Sequence, residues 1–230
     1  MKAKPILMHG RSIRSLLAGR KTQTRRIVKP QPPSEPIGPD WYAPLRVARN
    51  GEEYPGDEVF GIYTEDGEWG MKCPKGAPGD LLYVRETWQV HGVYTDCAVV
   101  RYQANERNSW TEQHQRFPRE RATNAKQLWD ETRWRPSIHM PRWASRLTLH
   151  LTDVRVEPVQ QISVSDCRAE GVDAPDHGLK PEFKKLWNDT NGPNAWDGND
   201  WCWVLCFEVI EANVDDVLAD PARYGIGEAA

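Results

Sequence analysis

Two long segments with β-strand character constrain the fold more than any other feature of this chain. In the first, SRLTLHLTDVRVEPV at 145–159, leucines alternate as far as Leu151 and valines alternate from Val154, one residue out of phase. Such a phase change predicts a bulge or bend within one long strand. The second segment, WCWVLCFEVI at 201–210, is an almost continuous apolar run of strand length. A long bent strand followed by a buried closing strand indicates a strongly curved sheet.

Two short helices are predicted between these strands. The segment 163–172 has Ser163 or Ser165 as a candidate N-cap, acidic residues early and a glycine at its end. The segment 181–189 begins with proline and carries its apolar residues on one stripe. The chain therefore alternates strands with short helices in its C-terminal half.

The N-terminal half supplies one more helix and further strands. Ser12 is placed to cap a short helix whose apolar residues recur at helical spacing, and Gly19 is placed to end it. The segment LLYVRETWQV at 81–90 has the composition of a single strand, and AVVRY at 98–102 follows as a second one. These elements are short enough to close a small sheet with the C-terminal strands.

Two segments are interpreted as insertions in an otherwise compact domain. The first, about 30–75, is rich in proline and glycine and predicts an irregular excursion with one short hairpin. The second, 103–140, is polar, charged and aperiodic except for a helix near 125–129. The fold class is therefore α+β, built on a small, curved antiparallel β-barrel with short helices, in a single domain over 1–211 with a C-terminal tail at 212–230.

Composition excludes several classes of protein. With 230 residues and 39% hydrophobic content the chain can bury a core, and its net charge of −3 gives it no overall basic field for nucleic acid. No apolar run is long enough for a signal peptide or a membrane span, so we expect a cytoplasmic protein without a membrane partner. The 5 cysteines contain no C-x-x-C pair and the 6 histidines no paired spacing, so neither a metal site nor a disulfide framework is expected.

The stretch LLAGRKTQTRRIV, at 15–27, concentrates basic residues and threonines where the first helix ends. One interpretation is a solvated basic turn that complements the carbonyl end of the helix. A second is phosphate contact by Arg20, Lys21 and Arg26. A third is catalysis, in which a lysine of lowered pKa removes the proton from a threonine hydroxyl. Spacing alone leaves the three open.

Two carboxylates and the aromatic residues extend the set of candidates. Glu86 lies on an apolar strand face with Trp88, where a carboxylate needs a partner, most simply an arginine in an internal ion pair. Glu170 precedes the glycine that ends a short helix, and its spacing is typical of a surface acid. Tryptophan can fill a core or stack on a base, and the 11 tryptophans leave both roles open. The second insertion interleaves arginines with aromatic residues, a pattern that fits a surface for single-stranded nucleic acid or a solvated flap. Its residues are Arg116, Phe117, Arg119, Arg121, Trp129, Arg133, Trp134 and Arg135.

Four ordered segments resemble the ASCH domain family of the PUA-like superfamily of small β-barrels. LLAGRKTQTRRIV resembles the family's opening motif, and PGDLLYV resembles its Gly-Asp turn into a barrel strand. ISVSDCRAEGV resembles its short helix with an acidic residue, and WVLCFEVI resembles its closing strand. The segments 73–80, 84–88, 136–146 and 201–204 are similar to those of a phage and prophage group within the family.

The resemblance implies a function and a set of site residues. Some small bacterial ASCH proteins are amidohydrolases that deacetylate N4-acetylcytidine, and their catalytic positions fall on Lys21, Thr24 and Glu170. The substrate would be a modified nucleoside or a single-stranded nucleic acid, with no cofactor and no metal. Other ASCH relatives resemble RNA-binding modules or ribonucleases, so a non-catalytic module for RNA or modified DNA and a metal-independent ribonuclease are the alternatives. The residues expected to bind the substrate are Arg20, Thr22, Arg26, Glu86 and Trp88.

Overall fold

The computed structural model describes residues 1–105, 114–130 and 132–227, and they form an α+β protein. The parts of the second insertion at 106–113 and 131, and the end of the tail at 228–230, lie outside the described residues. The strands are β1 (Ala3–Leu7), β2 (Gln23–Ile27), β3 (Ile37–Tyr42), β4 (Leu45–Val47), β5 (Glu53–Pro55), β6 (Val59–Tyr63), β7 (Gly70–Lys72), β8 (Leu81–Arg85), β9 (Trp88–Val93), β10 (Cys97–Tyr102), β11 (His114–Pro118), β12 (Thr148–Pro158) and β13 (Trp201–Ile210). The α-helices are α1 (Gly10–Leu17), α2 (Ala125–Leu128), α3 (Val164–Ala169), α4 (Asp176–Asn191) and α5 (Val214–Ala219). Short 3-10 helices cover Ser137–His139, Arg142–Ala144, Val159–Gln161 and Ala222–Tyr224.

The described chain divides into two compact units. The first unit comprises Met1–Thr22, Gly79–His150 and 208–230, the last of these segments being described as far as 227. The second comprises Gln23–Pro78 and Leu151–Phe207. Two of the four boundaries fall within β12 and β13, so each of these long strands contributes residues to both units.

In the first unit, β8 lies between β1 and the beginning of β12. Its pairing with β12 is antiparallel, with Thr148 opposite Tyr83. Its pairing with β1 is parallel, with Ala3 opposite Leu81. The prediction of a purely antiparallel sheet is therefore wrong for this pair, because the long connection between β1 and β8 permits the crossover that a parallel pair requires. A second, antiparallel sheet has the order β11-β10-β9.

The core of the first unit includes the C-terminal tail. Trp88 and Val100 are buried together with Trp143. Val214 and Val217 of α5 pack around Leu81 in a separate apolar cluster. The segment after 211 thus contributes apolar side chains to the interior of this unit.

In the second unit, β2 pairs antiparallel with β13, with Gln23 opposite Cys206. Helices α3 and α4 bury apolar side chains that include Cys167, Phe183 and Trp187. The first insertion holds more structure than the single hairpin predicted for it, since β3-β6-β7 form a sheet and β4 and β5 form a hairpin. Short strands separated by proline and glycine show too little periodicity to be recognised from sequence.

The predicted helices and strands are confirmed at several positions and wrong at others. Helix α1 begins at Gly10 with His9 at the N-cap, so Ser12 lies inside the helix. The predicted strand 81–90 is two strands, because Glu86 and Thr87 lie outside any strand and the chain bends at Thr87. Pro181 lies inside α4, which begins at Asp176. The ends of these elements depend on packing that a single sequence does not reveal.

Candidate functional site

The chain leaves α1 through a turn that buries Lys21. Gly19 has φ of 67°, in the left-handed region where glycine carries no steric penalty. The backbone carbonyl of Ser15 accepts hydrogen bonds from the amides of Arg20 at 2.9 Å and Lys21 at 3.1 Å. Lys21 is only 3% exposed, whereas Arg20 and Thr22 are exposed. A solvated turn therefore describes Arg20 and Thr22 correctly but is wrong for Lys21.

In the second unit, β2 carries the rest of the motif into the sheet. Thr24 and Arg25 are each 3% exposed, and Arg26 is partly buried. Side chains alternate along a strand, so Gln23 and Arg25 lie on one face of β2 and Thr24 and Arg26 on the other. The side chain of Arg25 has no exposed surface.

The guanidinium of Arg25 joins three carboxylates. It forms an ion pair with Glu157, a second with Asp166 at 3.3 Å and a third with Glu170 at 3.4 Å. Its central carbon also lies 5.9 Å from the ring centroid of Phe183 in α4. A charge with no exposed surface is tolerable only when it is paired and hydrogen-bonded, and the carboxylates meet that requirement.

Arg155 extends this cluster along β12. It donates hydrogen bonds to Asp166 at 2.7 Å, to Oε1 of Gln23 at 3.1 Å and to Sγ of Cys206 at 3.3 Å. Burial of Asp166 raises the pKa of its carboxyl, but hydrogen bonds within the α3 capping box and the two guanidinium charges outweigh it and bring the pKa to about 2. Asp166 is therefore ionised at neutral pH and holds both arginines in place.

Glu170 is buried at the end of α3, and its interpretation as a surface acid is wrong. It is the C-cap residue of the helix, it is 6% exposed, and Gly171 follows it with φ of 80°. Besides pairing with Arg25, Glu170 interacts electrostatically with Arg26. Burial lowers the pKa of Arg26, and the Glu170 charge partly offsets this shift. Its carboxylate is therefore within electrostatic range of side chains from both faces of β2.

The ion pair predicted for Glu86 is confirmed within the first unit. Arg146 donates to both carboxylate oxygens of Glu86, at 2.8 Å and 3.0 Å, and lies 4.1 Å from the ring centroid of Tyr102. Burial raises the pKa of Glu86, and Arg146 partly offsets this shift. Trp88 has no exposed surface, and its ring packs edge-on against Trp143 at 6.1 Å. A stacking role for Trp88 needs an accessible ring, and the structure places this ring in the core.

Several arginines of the second insertion form ion pairs or hydrogen bonds with other groups of this protein. Arg121 pairs with Asp216 at 2.5 Å, and the side chains of Arg119 and Arg135 donate to backbone carbonyls. The aromatic residues of the pattern also differ from one another. Phe117 is buried, Trp134 lies under Arg101 at 5.6 Å, and Trp129 is 51% exposed. The segment is therefore neither a uniform nucleic-acid surface nor a wholly solvated flap.

Sequence reasoning missed the residues that surround Arg25. Arg155 and Glu157 alternate on one face of β12, and Asp166 occupies the capping-box position three residues after Ser163. Charged residues at alternate positions of an otherwise apolar strand could have indicated a buried ionic cluster. The partners themselves could not be named, because they lie more than a hundred residues from Arg25 in the sequence.

The described residues contain no group of three or more His, Cys, Asp or Glu side chains placed to hold a metal ion. All 5 cysteines are free thiols, and burial raises the pKa of Cys202. Nor does any described helix combine the length and apolar character that a membrane crossing requires.

Comparison with known proteins yields no match to any family model, curated protein or solved structure. The resemblance to ASCH domains consequently rests on the four sequence segments. The function assigned below is a proposal from those segments together with the burial and contacts of the residues they carry.

Proposed function

We propose that this protein is a cytoplasmic amidohydrolase of the ASCH, PUA-like type that removes the acyl group from N4-acetylcytidine or a related modified nucleoside. Lys21 is the general base, Thr24 the nucleophile, and Glu170 orients Lys21 or relays protons. Arg20, Thr22 and Arg26 are the proposed substrate-binding residues. Glu86 and Trp88, the other two residues predicted to bind substrate, are buried, and the Glu86 carboxylate is paired with Arg146.

The observation that carries the proposal is the burial of all three catalytic candidates. Lys21 and Thr24 are each 3% exposed and Glu170 is 6% exposed. Polar and charged side chains of these types are mostly exposed in proteins, so three of them buried at the positions of one sequence motif favour a functional role. Lysine, threonine and glutamate are also the residue types that acyl transfer to a hydroxyl requires.

The order of the elements supports the resemblance to ASCH domains. The motif follows α1 directly, and the short helix with Glu170 lies between the long strand β12 and the closing strand β13. This is the order in which the ASCH segments occur in the sequence.

The proposed reaction proceeds in two acyl-transfer steps. The Lys21 amine takes the proton of the Thr24 hydroxyl as Oγ attacks the acyl carbonyl carbon. The bond from that carbon to N4 then breaks, and N4 leaves as the cytidine amine with the proton held by Lys21. Water, activated by the same amine, hydrolyses the threonyl ester and regenerates the enzyme. The products are cytidine and acetate.

The mechanism requires Lys21 to be uncharged for part of the cycle. A nearby carboxylate favours the ammonium form, whereas burial and nearby cations favour the amine. Arg25 binds Glu170 directly at 3.4 Å and thereby reduces the negative potential that this carboxylate exerts. Arg25 thus compensates part of the Glu170 charge.

The test is incubation of the purified protein with a panel of modified nucleosides, with the products identified by mass spectrometry. We expect release of cytidine and acetate from N4-acetylcytidine, and loss of this turnover in Lys21→Ala, Thr24→Ala and Glu170→Gln. The matched controls are Lys185→Ala, Thr152→Ala and Glu211→Gln, since these residues are exposed. The controls should retain wild-type turnover.

Two other outcomes would replace the proposal with one of its alternatives. Salt-dependent retardation of RNA without turnover of any nucleoside would identify a non-catalytic binding module. Cleavage of RNA in the presence of a metal chelator would identify a metal-independent ribonuclease.

A further inference from the structure

The first unit contains a groove of about 730 Å³ at one end of the β11-β10-β9 sheet. Its wall includes Tyr94 and Asp96, from the turn between β9 and β10, and Arg119, which follows β11. Lys126 in α2 and Trp129, just after that helix, line it as well. This volume is within the range of pockets that hold small ligands, about 300–1,000 Å³.

Two large aromatic side chains in the groove are exposed yet held in place. Tyr94 is 55% exposed and Trp129 is 51% exposed. The indole N–H of Trp129 donates to the backbone carbonyl of His91 at 3.2 Å, which fixes the edge of the ring. The Tyr94 ring packs over Gly92, where a Cβ would lie 3.0 Å from Cε2 of that ring. Both aromatic side chains are therefore about half exposed, and each has a contact that restrains its position.

The charged residues of the groove favour an anion. Lys126 and Arg119 supply two positive charges, against one carboxylate from Asp96. Lys126 is exposed. The Arg119 side chain is anchored by a hydrogen bond to the backbone carbonyl of Ala122, and the backbone amide of Arg119 donates to the backbone carbonyl of Asp96 at 2.8 Å. Aromatic faces beside cations match a ligand with planar rings joined by phosphates.

We propose that this groove binds single-stranded nucleic acid. Bases stack on Trp129 and Tyr94, and the phosphates between them contact Lys126 and Arg119. Stacking needs only the face of a base, so the site tolerates many sequences. The inference is independent of the deacylation proposal, because none of these residues belongs to the proposed catalytic set.

The test is fluorescence anisotropy of a labelled single strand of about 12 nucleotides, a length within the usual range of binding-site sizes. Trp129→Ala should weaken binding by about 5- to 150-fold, the range expected for loss of one stacked base. Trp129→Phe keeps an aromatic face and should retain most of the affinity. Trp41→Ala is the matched control, because Trp41 is 54% exposed and belongs to the second unit.

The contribution of Lys126 to binding is measured separately, from the salt dependence of the affinity. Lys126→Gln should weaken binding and reduce the slope of log affinity against log salt by roughly one phosphate contact, about 0.7 for a single strand. A non-specific loss of folding would not produce that change in slope. If Trp129→Ala fails to fold by circular dichroism, Tyr94→Ala provides the stacking test.

Three results would overturn the inference. They are no binding of the single strand by the wild-type protein, equal binding by wild type and the stacking variant, and equally effective competition by a mononucleotide and the unlabelled strand. Failure of the deacylation proposal would be seen separately, as absence of nucleoside turnover. Trp129→Ala should turn over N4-acetylcytidine as the wild type does, and Thr24→Ala should bind the strand as the wild type does.

Discussion

Replacement of Arg25 by methionine should destabilise the second unit strongly. The Arg25 side chain has no exposed surface and forms ion pairs with Glu157, Asp166 and Glu170. Methionine preserves much of the side-chain volume but removes the positive charge. The substitution therefore leaves carboxylates in a buried position with less compensating charge.

The size of this effect depends on how far a second arginine, Arg155, still compensates the same carboxylates. Removing one partner of a buried ion pair costs about 3–5 kcal/mol. Arg155 remains 2.7 Å from Asp166 and 3.4 Å from Glu157, which limits the loss. We therefore expect the lower end, a decrease of about 3 kcal/mol in the free energy of unfolding. For a chain of this length that corresponds to a fall of about 6–12 °C in Tm.

The assay is urea unfolding followed by tryptophan fluorescence and by circular dichroism. Arg49→Met is the matched control, because Arg49 is exposed in the same unit, and it should change stability by less than about 0.5 kcal/mol. In the Arg25→Met background, Asp166→Asn should cost less than it does in the wild type, since the charge it removes is then less compensated. A loss no greater than that of the control would refute the assignment of Arg25 as the centre of the cluster.

Three further variants or conditions test other parts of the structure. The Asp166 pKa of about 2 lies below the ordinary value of 3.8, so its contribution to the free energy of unfolding is present above pH 3.8 and is lost as pH falls toward 2. In urea unfolding measured over a series of pH values, the wild type should lose about 2 kcal/mol of stability across this range that Asp166→Asn does not lose. Arg146→Met should destabilise the first unit by about 3–5 kcal/mol because it leaves the buried Glu86 carboxylate unpaired, and Glu86→Gln in the same chain should recover part of the loss in thermal melts. Gly19→Ala should cost about 1–2 kcal/mol from its left-handed φ alone, since nothing lies within 4 Å of an added Cβ, and an equal Tm for wild type and variant would contradict this.

Local signals predicted the elements that depend on local chemistry. Ser163 caps α3 and Gly171 follows its end, as the capping pattern indicates. Gly19, with its left-handed φ, likewise follows the end of α1. The closing strand β13 has the bounds read from its apolar run, Trp201–Ile210. At the two helix ends the determining interaction lies within a few residues of the helix, whereas for β13 the length of the apolar run was itself the signal.

Long-range packing decided what the sequence could not predict. The partner of Glu86, Arg146, lies sixty residues away in the chain, so the sequence pattern could indicate that a partner was needed but could not name it. Arg25 is buried only because β12 and α3 bring carboxylates to it. Lys21 and Glu170 carry polar side chains whose spacing is typical of surface residues, so their burial follows from the fold and not from local pattern.

Turnover of N4-acetylcytidine by wild type, Thr24→Ala and Thr152→Ala tests the proposed function most directly. Cytidine released over time is measured by liquid chromatography with mass spectrometry, at matched protein concentrations and with folding verified by circular dichroism. We predict steady release by the wild type and by Thr152→Ala, and none above background by Thr24→Ala. Equal release by Thr24→Ala and the wild type would contradict the role of Thr24 as the nucleophile, and no release by the wild type would contradict the function itself.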